Sequence, residues 1–311
     1  MSEQRLKEAA AEIFKAGIQA VDPGTCIRKN MQLAGDKLQI QGMMIPLATR
    51  GKLLVVGMGK ASAAMASEVE SLLGDRISDG LIITKYGHAK PLTRCRVLEA
   101  AHPVPDANGE AAVQALIDLV STAGPEDVVL CLISGGGSAL SPAPVKGISL
   151  EDKQAVTRLL LDCGATIHEI NTIRKHLSRL KGGQLCRYAN QARVISLILS
   201  DVIGDDLDII ASGTTVQDPG TFADCKQILH RYGLQADLPD SVREYLAKGC
   251  SGQARETPKP GDPVFDTTSN YIIGSLGDAL SAAEDTAGHL GFHTLILTTT
   301  IQGEAREVAK V

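Results

Sequence analysis

Tryptophan is absent from this 311-residue chain, and aromatic residues of every kind make up only 3% of it. Surfaces that stack nucleic-acid bases need aromatic faces, so that class of binding is excluded. Nor is there an excess of positive charge. Lys and Arg number 31 against 36 Asp and Glu, a formal net charge of -5. DNA, RNA and anionic lipid therefore find no general attraction, and any anion site has to be built locally. No apolar run approaches the roughly 18 residues of a membrane-spanning helix. The opening MSEQRLKEAAAEIF is charged and helical in period, unlike a secretory signal. The seven cysteines are odd in number and never spaced Cys-x-x-Cys. That argues against a zinc site or a disulfide framework and for reduced thiols in a cytoplasmic protein.

What is plentiful is aliphatic sequence, within a hydrophobic share of 44%. At roughly 150 residues per domain, the length predicts about two domains. Leu6, Ala9, Ile13 and Ala16 mark a lead-in helix that stops at Asp22-Pro23-Gly24. From Lys52 onward, short β-branched runs (LLVVG, GLIIT, CRVLEA, VVLCLIS, ARVISLILS) alternate with amphipathic stretches such as KASAAMASEVESLLG and NGEAAVQALIDLVS. Continuously apolar strands with helices between them predict an α/β fold, a Rossmann-like three-layer α/β/α domain with a parallel sheet covered on both faces. That domain is expected over residues 1–250, with 1–48 a lead-in segment packing on a second unit. The polar, proline-rich stretch 249–263 reads as a linker. Residues 264–311, with strands YIIG and HTLILTT and a helix from Gly303, read as the start of a second α/β domain that the chain does not complete.

In such sheets ligands sit beyond the carboxyl ends of the strands, and four loops qualify. In VVGMGKASAAM, Gly57 and Gly59 close a strand and Lys60 opens a helix. This is not a P-loop, since Leu54 and Ala61 stand where glycine and Ser or Thr are needed. Nor is it a dinucleotide fingerprint, because Ser62 replaces the third glycine and the next strand ends on Lys85 instead of an acid. A lysine at a helix N-terminus opposes the helix dipole, which points to an anion facing Lys60. In SGGGS, Ser134, Gly135, Gly136, Gly137 and Ser138 follow a strand, and three bare backbones in a row suit a cradle for phosphate or carboxylate oxygens. Leu140 excludes the G-x-S-x-G nucleophile elbow.

The third loop, NTIRKHLSRLKGG, is a basic island running from Asn171. If helical throughout, it places Arg174, Ser178 and Lys181 on one outer face, with Ile173, Leu177 and Leu180 buried; His176 reads as a hydrogen-bonded histidine rather than a base. In the fourth, Asp201 ends an apolar strand and Asp205 follows in a glycine-containing loop. These carboxylates are candidate Mg²⁺ ligands, and Ser212-Gly213 adds a further short-side-chain turn.

These blocks, together with HPVPD, GISLEDKQAVTRLLL, GATIHEI, LILSDV, DPGTFADC, RYGL, ETPKPGDP and GEAREVAK, resemble the MOFRL-type glycerate kinases over nearly the whole chain. The resemblance implies two α/β domains with the active site between them, ATP and Mg²⁺ as cofactors, and phosphorylation of D-glycerate to 2-phosphoglycerate. It makes Lys60 the active-site lysine and Gly135 to Ser138 part of the substrate and phosphate cradle. It also implies small-molecule partners, glycerate and ATP, with neither nucleic acid nor membrane, and leaves room for a homodimer. Departures stand at Ile203, Thr214, Leu276 and Thr298-Thr299. The glycine- and arginine-rich segment that gives the family its name is absent, so the chain alone is expected to show little activity. Two rival readings are an NAD(P)H-dependent hydroxypyruvate reductase and a non-catalytic anion-binding remnant.

Overall fold

The computed structural model describes residues 2–47, 50–301 and 303–310; Gln302 and Val311, inside the expected second domain, lie outside them. Six strands, β4 (Leu53–Met58), β5 (Asp79–Lys85), β6 (Cys95–Ala100), β7 (Val128–Ser134), β8 (Arg193–Leu199) and β9 (Thr268–Gly274), form one sheet in the order β6-β5-β4-β7-β8-β9. Every pairing in it is parallel. Ahead of it, β1 (Met31–Ala34), β2 (Lys37–Ile40) and β3 (Met43–Pro46) make a small antiparallel sheet that the sequence reading did not foresee. Each of its strands is only four residues long, too short for a periodic signal to build up.

Successive side chains of a strand point to opposite faces. β4 accordingly sends Leu54, Val56 and Met58 to one core and Leu53 and Val55 to the other. The first core is closed by Val113, Leu116 and Ile117 of the Ala107–Val120 helix. The second is closed by Met65, Ala66 and Val69 of the Ser62–Leu73 helix, with Ile27 and the small sheet's Leu38, Ile40 and Ile45 behind them. Burial on both faces is why the strands read as unbroken apolar runs. A third core lies among the helices Leu150–Asp162, Ile167–His176, Phe222–Arg231 and Asp240–Cys250, around Leu160, Ile173, Phe222 and Leu246.

The expected boundary near residue 264 is not where the sheet ends. YIIG belongs to β9, which pairs with β8 as the sixth strand of the main sheet. Its Asn270 side chain accepts from Thr215 Oγ1 at 2.6 Å and donates to the Thr215 carbonyl at 3.2 Å. Residues 249–263 do not hang free as a linker: Thr257 is buried and donates to Asp218, and Pro258 O accepts from the Asp218 amide. HTLILTT forms no strand among the described residues, and Leu295 and Leu297 are exposed. A strand needs a neighbour for its backbone groups, and β9 is paired on the β8 side alone. The lead-in helix Glu3–Ala20 packs along Leu276–His289, the helix that follows β9.

Starting at β4, the chain winds outward through β5 and β6, then returns to the other side of β4 and winds through β7, β8 and β9. This is the doubly wound order, with its reversal between β4 and β7. The crevice at the carboxyl ends there is the place such sheets reserve for ligands.

Candidate active site

Met58 pairs with Ile133, so the loops after β4 and β7 leave the sheet side by side. They are tied together: the Lys60 amide donates to Gly135 O at 2.9 Å, and Ser134 Oγ accepts from the Ala61 amide at 3.0 Å. Ser134 is thereby spent on positioning Lys60. Gly57 is wholly buried in β4, where a β-carbon would meet Ile82 and Ser62, so it serves helix-to-strand packing instead of touching ligand. Gly59 sits in the turn against Ser134.

Lys60 keeps 41% of its side chain exposed, with its ammonium 3.7 Å from Asp201 Oδ2 beyond the end of β8. Asp201 lies so close over Gly135 that any β-carbon there would overlap its carboxylate. Gly136 has φ +85°, in the left-handed region, and a β-carbon on it would come within 3.0 Å of His102 and 3.2 Å of Lys60 Cε. The Gly135 amide faces Leu199 at the end of the β7–β8 ladder, and among the described residues no acceptor pairs with the amides of Gly136 and Gly137. Consecutive unpaired donors are what an anion cradle requires.

His102 was missed by the sequence reading, although its signal, a histidine between β6 and a proline pair in HPVPD, was legible. Its imidazole stands beside Gly136 and Lys60. Burial first, then the charges of Lys60 and Lys85, hold its pKa below the ordinary histidine value of 6.5, so it is neutral at pH 7.

The wall across the glycine loop is a chain of short polar groups. Ser138 Oγ and Ser212 Oγ are 2.9 Å apart, and Ser212 donates to Asn171 Oδ1 at 3.1 Å. Ala211, Ser212 and Gly213 are all left-handed, with φ of 49°, 58° and 62°. Side chains resist that conformation, and strain of this kind gathers at functional sites. The Gly182 and Gly183 amides hold the turn by donating to Ser212 O and Gly213 O.

The basic island departs from its expected form. The helix ends at His176, so Arg174, Ser178 and Lys181 share no outer face. Ser178 and Lys181 are fully buried, as is Lys175, which pairs with Asp208 and Asp218. Lys181 Nζ donates to Ser138 O at 2.8 Å and Ser141 O at 3.0 Å, so much of its bonding capacity is used inside the protein. His176 is buried and hydrogen-bonded to Thr172 O and Glu256. The helical layer folds over this segment, which periodicity alone does not reveal.

Asp205 takes a left-handed φ of 55°, and its Oδ1 is buried without a partner. Among the described residues no group of three or more His, Cys, Asp or Glu converges as a metal site. Two cavities flank the glycine loop. One, of ≈ 480 Å³, is lined by Lys60, Ser134, Gly135, Asp201, Ile18 and Leu276; the other, of ≈ 330 Å³, by Ser138, Lys153, Arg174 and Lys181 with Pro103 and Leu161.

A family model described as a domain of unknown function, DUF4147, matches residues 9–247. The chain belongs to this DUF4147 family. Among its relatives, the glycerate 2-kinase of Pyrococcus horikoshii is 40% identical over 302 residues, covering 97% of this chain and 67% of that protein. An Agrobacterium vitis protein that carries a provisional hydroxypyruvate reductase name is 42% identical over 305 residues, covering 98% of this chain and 64% of its own. The crystal structure of Thermotoga maritima glycerate kinase superposes with a TM-score of 0.83 at 36% identity, over 99% of this chain and 68% of that one. The chain spans between 60% and 67% of the length of the first curated relatives it matches. The DUF4147 match takes in the loops of Lys60, Gly135, Asn171 and Asp201 and ends before β9 begins.

Proposed function

We propose that this chain is part of a cytoplasmic glycerate 2-kinase that transfers the γ-phosphoryl group of ATP to the 2-hydroxyl of D-glycerate. The observation that carries the reading is the convergence of Lys60, Asp201 and the two unpaired amides of Gly136 and Gly137 at the reversal of the sheet. Phosphoryl transfer asks a protein chiefly to position reactants and balance negative charge, and this convergence offers both. Lys60, half exposed and held only loosely by Asp201, is free to turn to the oxygens of the transferring group. The amides of Gly136 and Gly137 supply donors, with no side chain in the way at either glycine. His102, neutral and beside Lys60, is placed to take the proton that the hydroxyl loses.

The carboxylate donors fit Mg²⁺, which takes one or two carboxylates and fills its remaining positions with water and phosphate oxygens. Asp201 is exposed and Asp205 has an orphaned oxygen; these two would hold the ion, which supplies neutralisation of phosphate charge when bound. A reductase reading finds less support in the same loops. Ser62, fully buried, donates to Gly59 O and Ile83 O where a third glycine would admit a pyrophosphate, and β5 ends on Lys85, not on an acid for the ribose.

The test is to incubate the full-length natural protein with glycerate, Mg²⁺ and ATP and to identify the product by phosphorus NMR. The expected product is 2-phosphoglycerate with one ADP per turnover. Formation of 3-phosphoglycerate alone, or oxidation of NAD(P)H without ADP, would overturn the reading.

A further inference from the structure

The smaller cavity is lined by Lys153, Arg158, Arg174 and Lys181 and by no carboxylate. Such a balance is unusual in a chain of net charge -5. Lys153 and Lys181 are both fully buried, yet neither ammonium meets an acid. Lys153 donates to Pro142 O at 2.6 Å and Leu177 O at 3.1 Å, and Lys181 to two further carbonyls. Each ammonium has three protons, so one proton of each remains after these bonds. Arg174 goes further: its half-buried side chain lines the cavity and makes no ion pair or hydrogen bond among the described residues. Buried cations are ordinarily paired, and the other buried lysine of this segment, Lys175, is paired with two aspartates.

We infer that this cavity is the carboxylate subsite for a small hydroxy acid, with Arg174 as the direct ligand and Lys153 and Lys181 as positioning residues behind it. Three observations support the assignment. A guanidinium offers a planar fork that matches a carboxylate through two parallel hydrogen bonds. The two lysines grip the carbonyls of Ser138, Ser141, Pro142 and Leu177, fixing the glycine loop from behind while adding positive potential. Burial, then the neighbouring cations, push the pKa of Lys181 well below its usual value, and a bound anion would relieve that cost. The remaining walls, Val104, Leu150 and Leu161 among them, are apolar and suit a short carbon skeleton.

The inference rests on the hydroxy-acid reading of the site and divides it. The carboxylate enters beside Arg174 and Ser138, and the hydroxyl then lies toward Lys60 and His102 across the glycine loop. The larger cavity, with Ile18, Val21, Leu199 and Leu276, is left for the nucleotide.

Calorimetric titration of the full-length protein tests the subsite without needing turnover. D-glycerate, glycerol and inorganic phosphate are titrated separately into wild type, Arg174→Gln and Arg174→Lys, with thermal melts confirming that each variant folds. The expected result is that wild type binds glycerate but not glycerol. R174Q should weaken glycerate binding about 10- to 100-fold, the usual loss for a charged hydrogen-bonded contact, with R174K between the two. Unchanged glycerate affinity in a folded R174Q variant would overturn the subsite. So would phosphate binding that competes with glycerate and disappears in R174Q, since the pocket would then be a phosphate site. Failure of the kinase reading would look different: no ADP formed from glycerate, with Arg174-dependent binding of carboxylates intact.

Discussion

Replacing Gly136 by alanine separates two costs that usually arrive together. Gly136 sits at φ +85°, where an L side chain costs about 1–2 kcal/mol. For a chain of this size, at about 2.1 cal/mol/K of unfolding entropy per residue, that is a fall in Tm of roughly 1.5–3 °C. The added methyl group would also lie 3.0 Å from His102 Cδ2, 3.1 Å from its Nε2 and 3.2 Å from Lys60 Cε, so one of these side chains must shift by a few tenths of an ångström. Misplacement of about 1 Å can cost 10²-fold in rate, and a smaller shift of both groups is expected to lower kcat about 10-fold or more. Gly233 is the control. It has a similar φ of +67° with nothing within 4 Å of its would-be β-carbon, and it lies just after the Phe222–Arg231 helix, away from the crevice. Both variants should lose comparable stability in thermal melts, and only Gly136→Ala should lose turnover in a coupled ADP assay. Equal activity of the two folded variants would refute the claim that His102 and Lys60 are held in working position over Gly136.

Lys60→Met should leave Tm within about 2 °C of wild type, because the side chain is half exposed and its one contact is a long ion pair; kcat should fall by roughly 10² or more as a preorganised charge is lost, and wild-type turnover would reduce Lys60 to a surface lysine. Glu70 accepts hydrogen bonds from the amides of Thr93, Arg94 and Cys95 and from the Thr93 hydroxyl. Burial works against its charge, but these donors outweigh it and hold its pKa below the ordinary value of 4.5. Its contribution is therefore complete above the unfolded value and lost as pH falls through the lower folded one. Glu70→Gln should cost about 1–2 kcal/mol at pH 7 in urea titrations, with the gap to wild type narrowing below pH 4; a gap that widens on acidification would contradict this assignment.

The parallel sheet covered on both faces was legible because its signal is local. Runs such as VVLCLIS at 128–134 are apolar at every position, which happens when both faces of a strand are covered, and the glycines after them mark where backbone must approach a ligand. The loops of Lys60, Gly135 to Ser138 and Asp201 could be named for the same reason: each directly follows a strand of the sheet. Local signals also misled. HTLILTT has the composition of a strand, but composition does not supply the neighbour that a strand needs, and those residues stay unpaired. YIIG was assigned to a second unit because 249–263 looks like a linker, whereas contacts with Asp218 lead the chain back to the sheet's edge.

The sequence by itself determined the layers and the loops that carry chemistry, since these follow from side-chain period and from glycine's missing β-carbon, whereas the order in which the strands wind came from the structure. Only the tertiary structure decided which charges are solvated. Arg174, Lys175 and Lys181 look alike in a basic run, and nothing in their spacing says that one is neutralised by aspartates, one is spent on carbonyls and one is left without a partner. That outcome depends on Asp208, Asp218, Ser138 and Lys153, residues about 20 to 45 positions away in sequence. The packing of the helical layer over the sheet brings them together, and the desolvation it imposes gives each charge its role.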